Sequence, residues 1–438
     1  MTTIDLAKAW LEQDPDPVTR AELDALIPAA EGGDASAMDA LRDRFDTRLA
    51  FGTAGLRGEL GAGSNRMNRV LVAQAAAGFA RWLLDHHEPG AGSGDEPGGE
   101  AVDGSRTASG TESGDRTRPS IVIGYDGRVN SDVFARDTAE LMEGAGVRAI
   151  LLPRLLPTPV LAFAVRYFDV SAGVMVTASH NPPRDNGYKV YLGGRDGGSQ
   201  IVSPVDGDIH AAILSVATTA SVLDLPRSSA YEVADESVID AYIERTASLV
   251  THTAESTVID PVRAVYTAMH GVGWEVAQRT FIDAGLGEPT VVAEQIEPDG
   301  AFPTVAFPNP EEPGALDLSF ATARAVDAEI IIANDPDADR LAVAVPDSSV
   351  PDGWRQLSGN AVGALLGWRA AERLEREGRQ AKFAASLVSS PALSAVAAAY
   401  GISYSDTLTG FKWISRVGGL GYGYEEALGY LVDPEKVR

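Results

Sequence analysis

The chain has 438 residues, with 36 Lys or Arg against 62 Asp or Glu, a formal charge of −26. That length suits about two to four domains, and 45% hydrophobic residues exclude wholesale disorder. No Cys is present, which removes disulfides, thiolate metal sites and cysteine nucleophiles, while the acidic balance opposes nucleic acid yet leaves local cations able to hold a small phosphorylated ligand.

The first residues are acidic and amphipathic and lack a signal pattern. Helices are expected over 4–12 and 18–49, separated by Asp14-Pro15-Asp16-Pro17. A Gly-rich loop from Phe51 follows, then a helix from Val70 to Asp85. The apolar run Val70–Leu84 contains Gln74 and Arg81 and is too short to span a bilayer, so no membrane partner is expected and the protein reads as cytoplasmic. Residues 86–119 are rich in Gly, Ser, Pro and acid, a composition expected of a flexible surface insertion. The string Arg106–Glu112 inside it imitates a phosphate loop by chance composition. After Ser120 the texture is strand–turn–helix–strand; it returns from Arg263 and again over 382–408. Three such units predict several α/β domains of related build, with ligands at the carboxyl ends of the strands.

Two strand ends stand out. Gly173–Thr177 reads as a buried strand, and Pro182-Pro183 stops the run Ser179-His180-Asn181, leaving Ser179 on a stiff turn as a nucleophile or phosphoryl carrier. The alternative is a plain Ser/Asn turn. Asn186-Gly187 predicts a hairpin that brings Lys189 back toward the serine. In the second, AEIIIANDPDADRLAVAV (328–345), an apolar strand empties into Asp335, Asp337 and Asp339, which repel one another unless a cation such as Mg²⁺ sits among them; a solvated acidic turn is the alternative. Arg340 follows, suited to a phosphate oxygen. Phe51–Arg57 offers glycines for close backbone approach and a guanidinium fork, while Thr407–Lys412 and Gly423–Ala427 offer hydroxyl, amide and carboxylate groups to a polyhydroxy ligand. Singly, each of these loops reads equally as a turn or cap, and His270 as a satisfied loop histidine.

Taken together and in order, FGTAGLRG (51–58), TASHNPPRDNGYK (177–189), DPDADR (335–340), TLTGFKW (407–413) and GYEEALGY (423–430) resemble the α-D-phosphohexomutases, the phosphoglucomutase/phosphomannomutase family. The resemblance runs from about Arg48 onward and is nearest in wording to the phosphoglucomutase-2 and phosphopentomutase-like branch. It implies several related α/β domains with mixed sheets around a central cleft. It implies a phosphoserine at Ser179 and Mg²⁺ held by Asp335, Asp337, Asp339 and a serine-borne oxygen. Arg57, His180, Lys189 and Arg340 would lie beside the transferring phosphoryl, Thr409 and Gly410 in a sugar-binding loop, and Glu425 on sugar hydroxyls. Ala427 stands where many relatives have Ser, which bears on hexose preference.

The implied reaction moves phosphate between the 1- and 6-positions of an aldose, glucose first, through a hexose 1,6-bisphosphate. Lys189 is the expected proton shuttle, because an amine in a cationic site can lose its proton, with His270 as runner-up. Domains are expected at 1–228, 229–350 and 351–438. Relatives carry a fourth, phosphate-gripping domain; here the sequence ends shortly after GYEEALGY, so this form is expected to turn over poorly. Phosphomannose or phosphopentose isomerisation is the runner-up reading. A metal-dependent glycosyltransferase using Asp337-Ala338-Asp339, or a non-catalytic sugar-phosphate binder, are the readings from other classes.

Overall fold

A computed structural model of the chain describes residues 1–87, 117–250 and 262–434. The expected insertion at 86–119, with its phosphate-loop imitation, lies almost entirely outside them. At the amino end three helices pack together: α1 (Thr3–Gln13), α2 (Pro17–Glu31) and α3 (Ala35–Phe45). The single helix expected over 18–49 is therefore two. Gly33 turns the chain at φ +90°, where only glycine is unstrained, and the Asp34 carboxylate accepts from the amides of Ser36 and Ala37 to start α3 afresh. Hydrophobic periodicity runs through this break unchanged, so period alone misses it.

The first sheet takes β1 (Leu56–Glu59), then α4 (Arg69–Asp85), β2 (Ser120–Tyr125), α5 (Ser131–Ala145), β3 (Arg148–Leu151) and α6 (Thr158–Tyr167). It continues with β4 (Ala172–Val176), β5 (Asp185–Leu192), β6 (Ser199–Gln200), α7 (Val205–Thr219), β7 (Glu232–Val233) and α8 (Ser237–Ala247). Its order is β1-β5-β4-β2-β3-β7, with β6 on β5; β4, β2, β3 and β7 are parallel and β5 is antiparallel to β4 and β1. Alternation along the strands builds two cores. Ile121 and Ile123 of β2 face α4, α5 and α7, while Val122 faces α6 and α8. Each such fully buried aliphatic contributes about 1.5–3 kcal/mol.

The second sheet contains β8 (Ala264–Thr267), α9 (Trp274–Asp283), β9 (Thr290–Val291), α10 (Asp317–Ala325), β10 (Ile330–Asn334), β11 (Leu341–Pro346) and β12 (Trp354–Gln356), in the order β12-β11-β10-β8-β9. The third unit has α11 (Gly359–Glu377), β13 (Lys382–Ser386), α12 (Ala392–Ala399), β14 (Ser403–Thr407), α13 (Phe411–Ile414), β15 (Leu420–Glu425) and β16 (Gly429–Val432), with the sheet order β14-β13-β15-β16. The chain is thus a mixed α/β protein of several domains with three sheets. No helix among the described residues is long and apolar enough to cross a membrane.

Candidate active site

The loops carrying Ser179, the three aspartates and Thr409 leave the carboxyl ends of β4, β10 and β14, where strand pairing stops and backbone groups become free, while the loop from Phe51 leads into β1. After β4 the chain turns at Ser179, which is 2% exposed and held at φ +53°, a left-handed conformation that a serine adopts only under constraint. Its amide donates to Thr177 Oγ1 at 2.8 Å. The loop is further clamped from the turn after β2: the buried Arg128 guanidinium donates to the carbonyl oxygens of Ser179 (2.6 Å), Asn181 (2.6 Å), Pro182 (2.9 Å) and Asp185 (3.1 Å).

Ser179 Oγ donates to Asp335 Oδ2 at 3.0 Å and lies 3.3 Å from His180 Nδ1 and 3.5 Å from Asp339 Oδ1. The β4–β5 hairpin pairs Met175 with Lys189, so the lysine side chain reaches the same point. Lys189 Nζ donates to Asp337 Oδ2 at 2.7 Å and Asp339 Oδ2 at 2.8 Å. Thr158, at the start of α6, also takes hold of Asp337: its hydroxyl donates to Oδ2 at 2.6 Å and its amide to the carbonyl at 2.9 Å. Arg340 donates its amide to Asp335 Oδ1 at 2.9 Å, and its guanidinium lies 3.5 Å from Asp339, 3.7 Å from Glu425 and against the Ala427 carbonyl.

Electrostatics follow from this crowding. Burial, then the charges of Asp337 and Asp339, push Asp335 well above the usual carboxylate range. Burial also works against the charge of Asp337, but Lys189 and the Thr158 hydroxyl outweigh it and hold that carboxyl low. Burial likewise opposes the charge on Lys189, and the two aspartates overcome it and raise the ammonium. The cationic surroundings that sequence reasoning assigned to Lys189 are thus replaced by two carboxylates, which bind its proton more tightly rather than loosening it. Burial and then Arg340 lower His180 to about 4, so its imidazole is neutral near pH 7.

The acid triad fits a hard divalent cation. One carboxylate oxygen from each of Asp335, Asp337 and Asp339 lies within 4.8 Å of the others, and Asp337 Oδ1 is buried without a hydrogen-bond partner among the described residues. Three carboxylates face two cations, Lys189 and Arg340, which leaves negative charge for an ion to neutralise.

Other expected residues arrive from further away. Arg57, on β1, donates Nη1 to Asn181 Oδ1 at 3.3 Å, and its buried Nε has no partner among the described residues. Gly55 beside it has φ +75°, and a Cβ there would sit 1.8 Å from the Tyr188 carbonyl oxygen, so only glycine lets this loop touch β5. Glu425, at the end of β15, is 5% exposed and raised by burial against the pull of Arg340, with the Gly410 amide as a hydrogen-bond donor. Thr409 is exposed on the same loop, whose Lys412 Nζ reaches Thr53 Oγ1 at 2.7 Å. The cluster thus joins Ser179, His180, Lys189, the three aspartates and Arg340, with Arg57, Glu425 and Gly410 at its margin. His270 turns aside: its Nε2 faces Thr304 Oγ1 at 2.8 Å.

Arg128 and Thr158 are absent from the sequence-derived set. The signal for Arg128 was its place at the end of a strand, in Tyr125-Asp126-Gly127-Arg128; Thr158, one residue after Pro157, carried none.

Comparison with known proteins matches this geometry to one family. Residues 106–219, 240–348 and 358–437 match, in order, the models for phosphoglucomutase/phosphomannomutase alpha/beta/alpha domains I, II and III. A Haemophilus influenzae protein named "Probable phosphomannomutase" is 57% identical over 372 residues, covering 85% of this chain and 69% of its own length. The phosphopentomutase of Mus musculus is 36% identical over 452 residues, covering 97% of this chain and 66% of its own. The chain therefore spans about two thirds of the length of these curated relatives. A Burkholderia thailandensis phosphoglucomutase/phosphomannomutase family protein of known structure shares the fold, with a TM-score of 0.66 at 22% identity over 88% of this chain and 72% of its own.

Proposed function

Because the chain belongs to the phosphoglucomutase/phosphomannomutase family, we propose that it interconverts an aldose 1-phosphate and its terminal phosphate, with glucose as the first substrate. The carrying observation is Ser179: a buried hydroxyl held at positive φ, 3.0 Å from Asp335 and in reach of His180, on a loop clamped by Arg128.

In this reading phosphorylated Ser179 faces the sugar monophosphate. The bond from phosphorus to the serine oxygen breaks as one to a sugar hydroxyl oxygen forms, giving a bisphosphate. The hydroxyl proton ends on the serine oxygen, with the neutral His180 Nδ1 as the near relay. The bisphosphate, turned end for end, returns its other phosphoryl to Ser179 and leaves as the isomeric monophosphate. Asp335, Asp337, Asp339 and an oxygen on Ser179 would hold Mg²⁺, which when bound neutralises charge on the phosphoryl oxygens. Lys189 keeps its proton and fixes Asp337 and Asp339 in place. The Nε of Arg57, unpartnered among the described residues, is placed to grip phosphate, Arg340 adds positive charge beside Asp339 and Glu425, and Glu425 offers buried acceptors to adjacent sugar hydroxyls.

A second reading, phosphopentose isomerisation, is favoured by the 36% identity with the mouse phosphopentomutase over 97% of this chain. Coupled assays with glucose, mannose and ribose 1-phosphates, each primed with its bisphosphate, decide between them. Labelled bisphosphate should leave phosphate on Ser179 and none on Thr177. Full turnover by Ser179→Ala would overturn the reading.

A further inference from the structure

Away from the phosphoryl centre, α1, α3, α4 and α7 contribute to a cavity of about 400 Å³. Leu6, Trp10, Phe45 and Ala217 give it an apolar wall, and Arg48 and Gln74 a polar one. The polar wall carries charge without compensation. Arg48 is half-buried and, among the described residues, makes one hydrogen bond, from Nη2 to the neutral Gln74 Oε1 at 2.6 Å. No carboxylate of those residues lies within 4.0 Å of it. Burial disfavours the charge on this guanidinium, and nothing in the wall offsets that cost. The lining acid, Asp46, accepts instead from the Thr3 hydroxyl at 3.0 Å. Trp10, in the apolar wall, has a buried Nε1 with no acceptor among the described residues.

A half-buried guanidinium with donors left over, facing an apolar wall across a space large enough for a small molecule, is a receptor for an amphiphilic anion. We propose that this cavity binds a small organic monocarboxylate, with the carboxylate on Arg48 and the apolar body against Leu6, Trp10 and Phe45. The site stands just before the loop that carries Arg57. Thr47 and Leu49 on either side of Arg48 are tied to Ser64, through Ser64 Oγ to the Thr47 carbonyl (2.8 Å) and the Leu49 amide to the Ser64 carbonyl (2.9 Å). Phe51 then opens the loop that carries Arg57.

Benzoate and its uncharged analogue benzamide are the probes, titrated into the full chain and followed by ligand-observed NMR and calorimetry. Saturable benzoate binding below about 10 mM is expected, with benzamide at least about tenfold weaker. Arg48→Met, which keeps the aliphatic stem, and Ala217→Trp, which fills the cavity and leaves Arg48 in place, should each weaken benzoate by about tenfold or more. Unchanged thermal midpoints in either variant separate loss of the ligand from loss of the fold. No binding to the unmodified chain, equal binding of benzamide, or undiminished binding to Arg48→Met would each overturn the proposal.

Discussion

The guanidinium of Arg128 donates to the carbonyl oxygen of Ser179 at 2.6 Å, although the two residues stand 51 positions apart. Three further carbonyls of the same loop, those of Asn181, Pro182 and Asp185, accept from it too. The ring of Phe302, from the region of the second sheet, lies 4.9 Å from its guanidinium carbon. A planar fork with several donors can hold a serine turn at positive φ in a way a single ammonium cannot.

Arg128→Lys should therefore keep the charge and lose most of the grip. Hydrogen bonds of this kind contribute about 1.5–3 kcal/mol each, so losing two relaxes the turn that aims the hydroxyl. The rate of phosphate transfer to Ser179, read by quenched flow with labelled bisphosphate, should fall by about 100-fold. KM for the sugar phosphate should move little, since Arg128 points its donors at the loop. An equal rise in KM would instead mark a general loosening of the site.

Thr158→Val removes one oxygen donor from Asp337 at nearly constant volume. Partners of metal-binding carboxylates typically tune affinity by about 10–100-fold, and a loss in that range is expected for Mg²⁺. Calorimetric titration of the variant checks it; an unchanged constant would show that Lys189 alone orients this carboxylate.

The crowding of three acids predicts opposite effects of one substitution with and without metal. Asp335 is raised by burial and by its neighbours, so its ionised form costs stability above the unfolded pKa, at neutral pH. Asp335→Asn should raise the thermal midpoint in chelator and abolish the further rise that Mg²⁺ gives the unmodified chain. A lower midpoint in chelator would show that the hydrogen bonds to this side chain outweigh the repulsion.

His180 gives an acid limb of known sign. Its imidazole titrates near 6.5 when unfolded and about 4 when folded, so between these values the unfolded chain binds more protons. This residue's contribution is thus present above pH 6.5 and is lost as pH falls toward 4. His180→Gln should flatten the fall in midpoint across that window, and NMR of the ring should place its own titration below pH 5. A midpoint near 6.5 in the folded protein would mean that water reaches the ring.

How much of this was legible in the sequence depends on the reach of each signal. A buried strand halted by Pro182-Pro183 marks the Ser179 turn locally, and three alternate acids after β10 mark the triad locally. The hairpin at Asn186-Gly187 carries Lys189 back because strand pairing has a fixed register. What surrounds Lys189 is another matter: its partners come from the second sheet, nearly 150 positions later, and no local pattern says whether they are acids or bases. Arg128 and Thr158 act on single atoms across such distances, so their residue types look ordinary where they stand. The break at Gly32-Gly33 was written in the sequence but concealed by an apolar stripe that continues past it.

Asp337 is gripped by Thr158 of α6 and Lys189 of β5, which belong to the first α/β unit, and Ser179 completes its surroundings through Asp335 and Asp339, 156 and 160 positions downstream. During synthesis the serine leaves the ribosome long before the acids that would equip it. In the proposed reading a growing chain thus holds a hydroxyl without its acids, and competence arrives only when the second sheet has packed against the first. On that reading the site inspects its own assembly: a misdocked molecule would lack the acids beside Ser179 and stay silent.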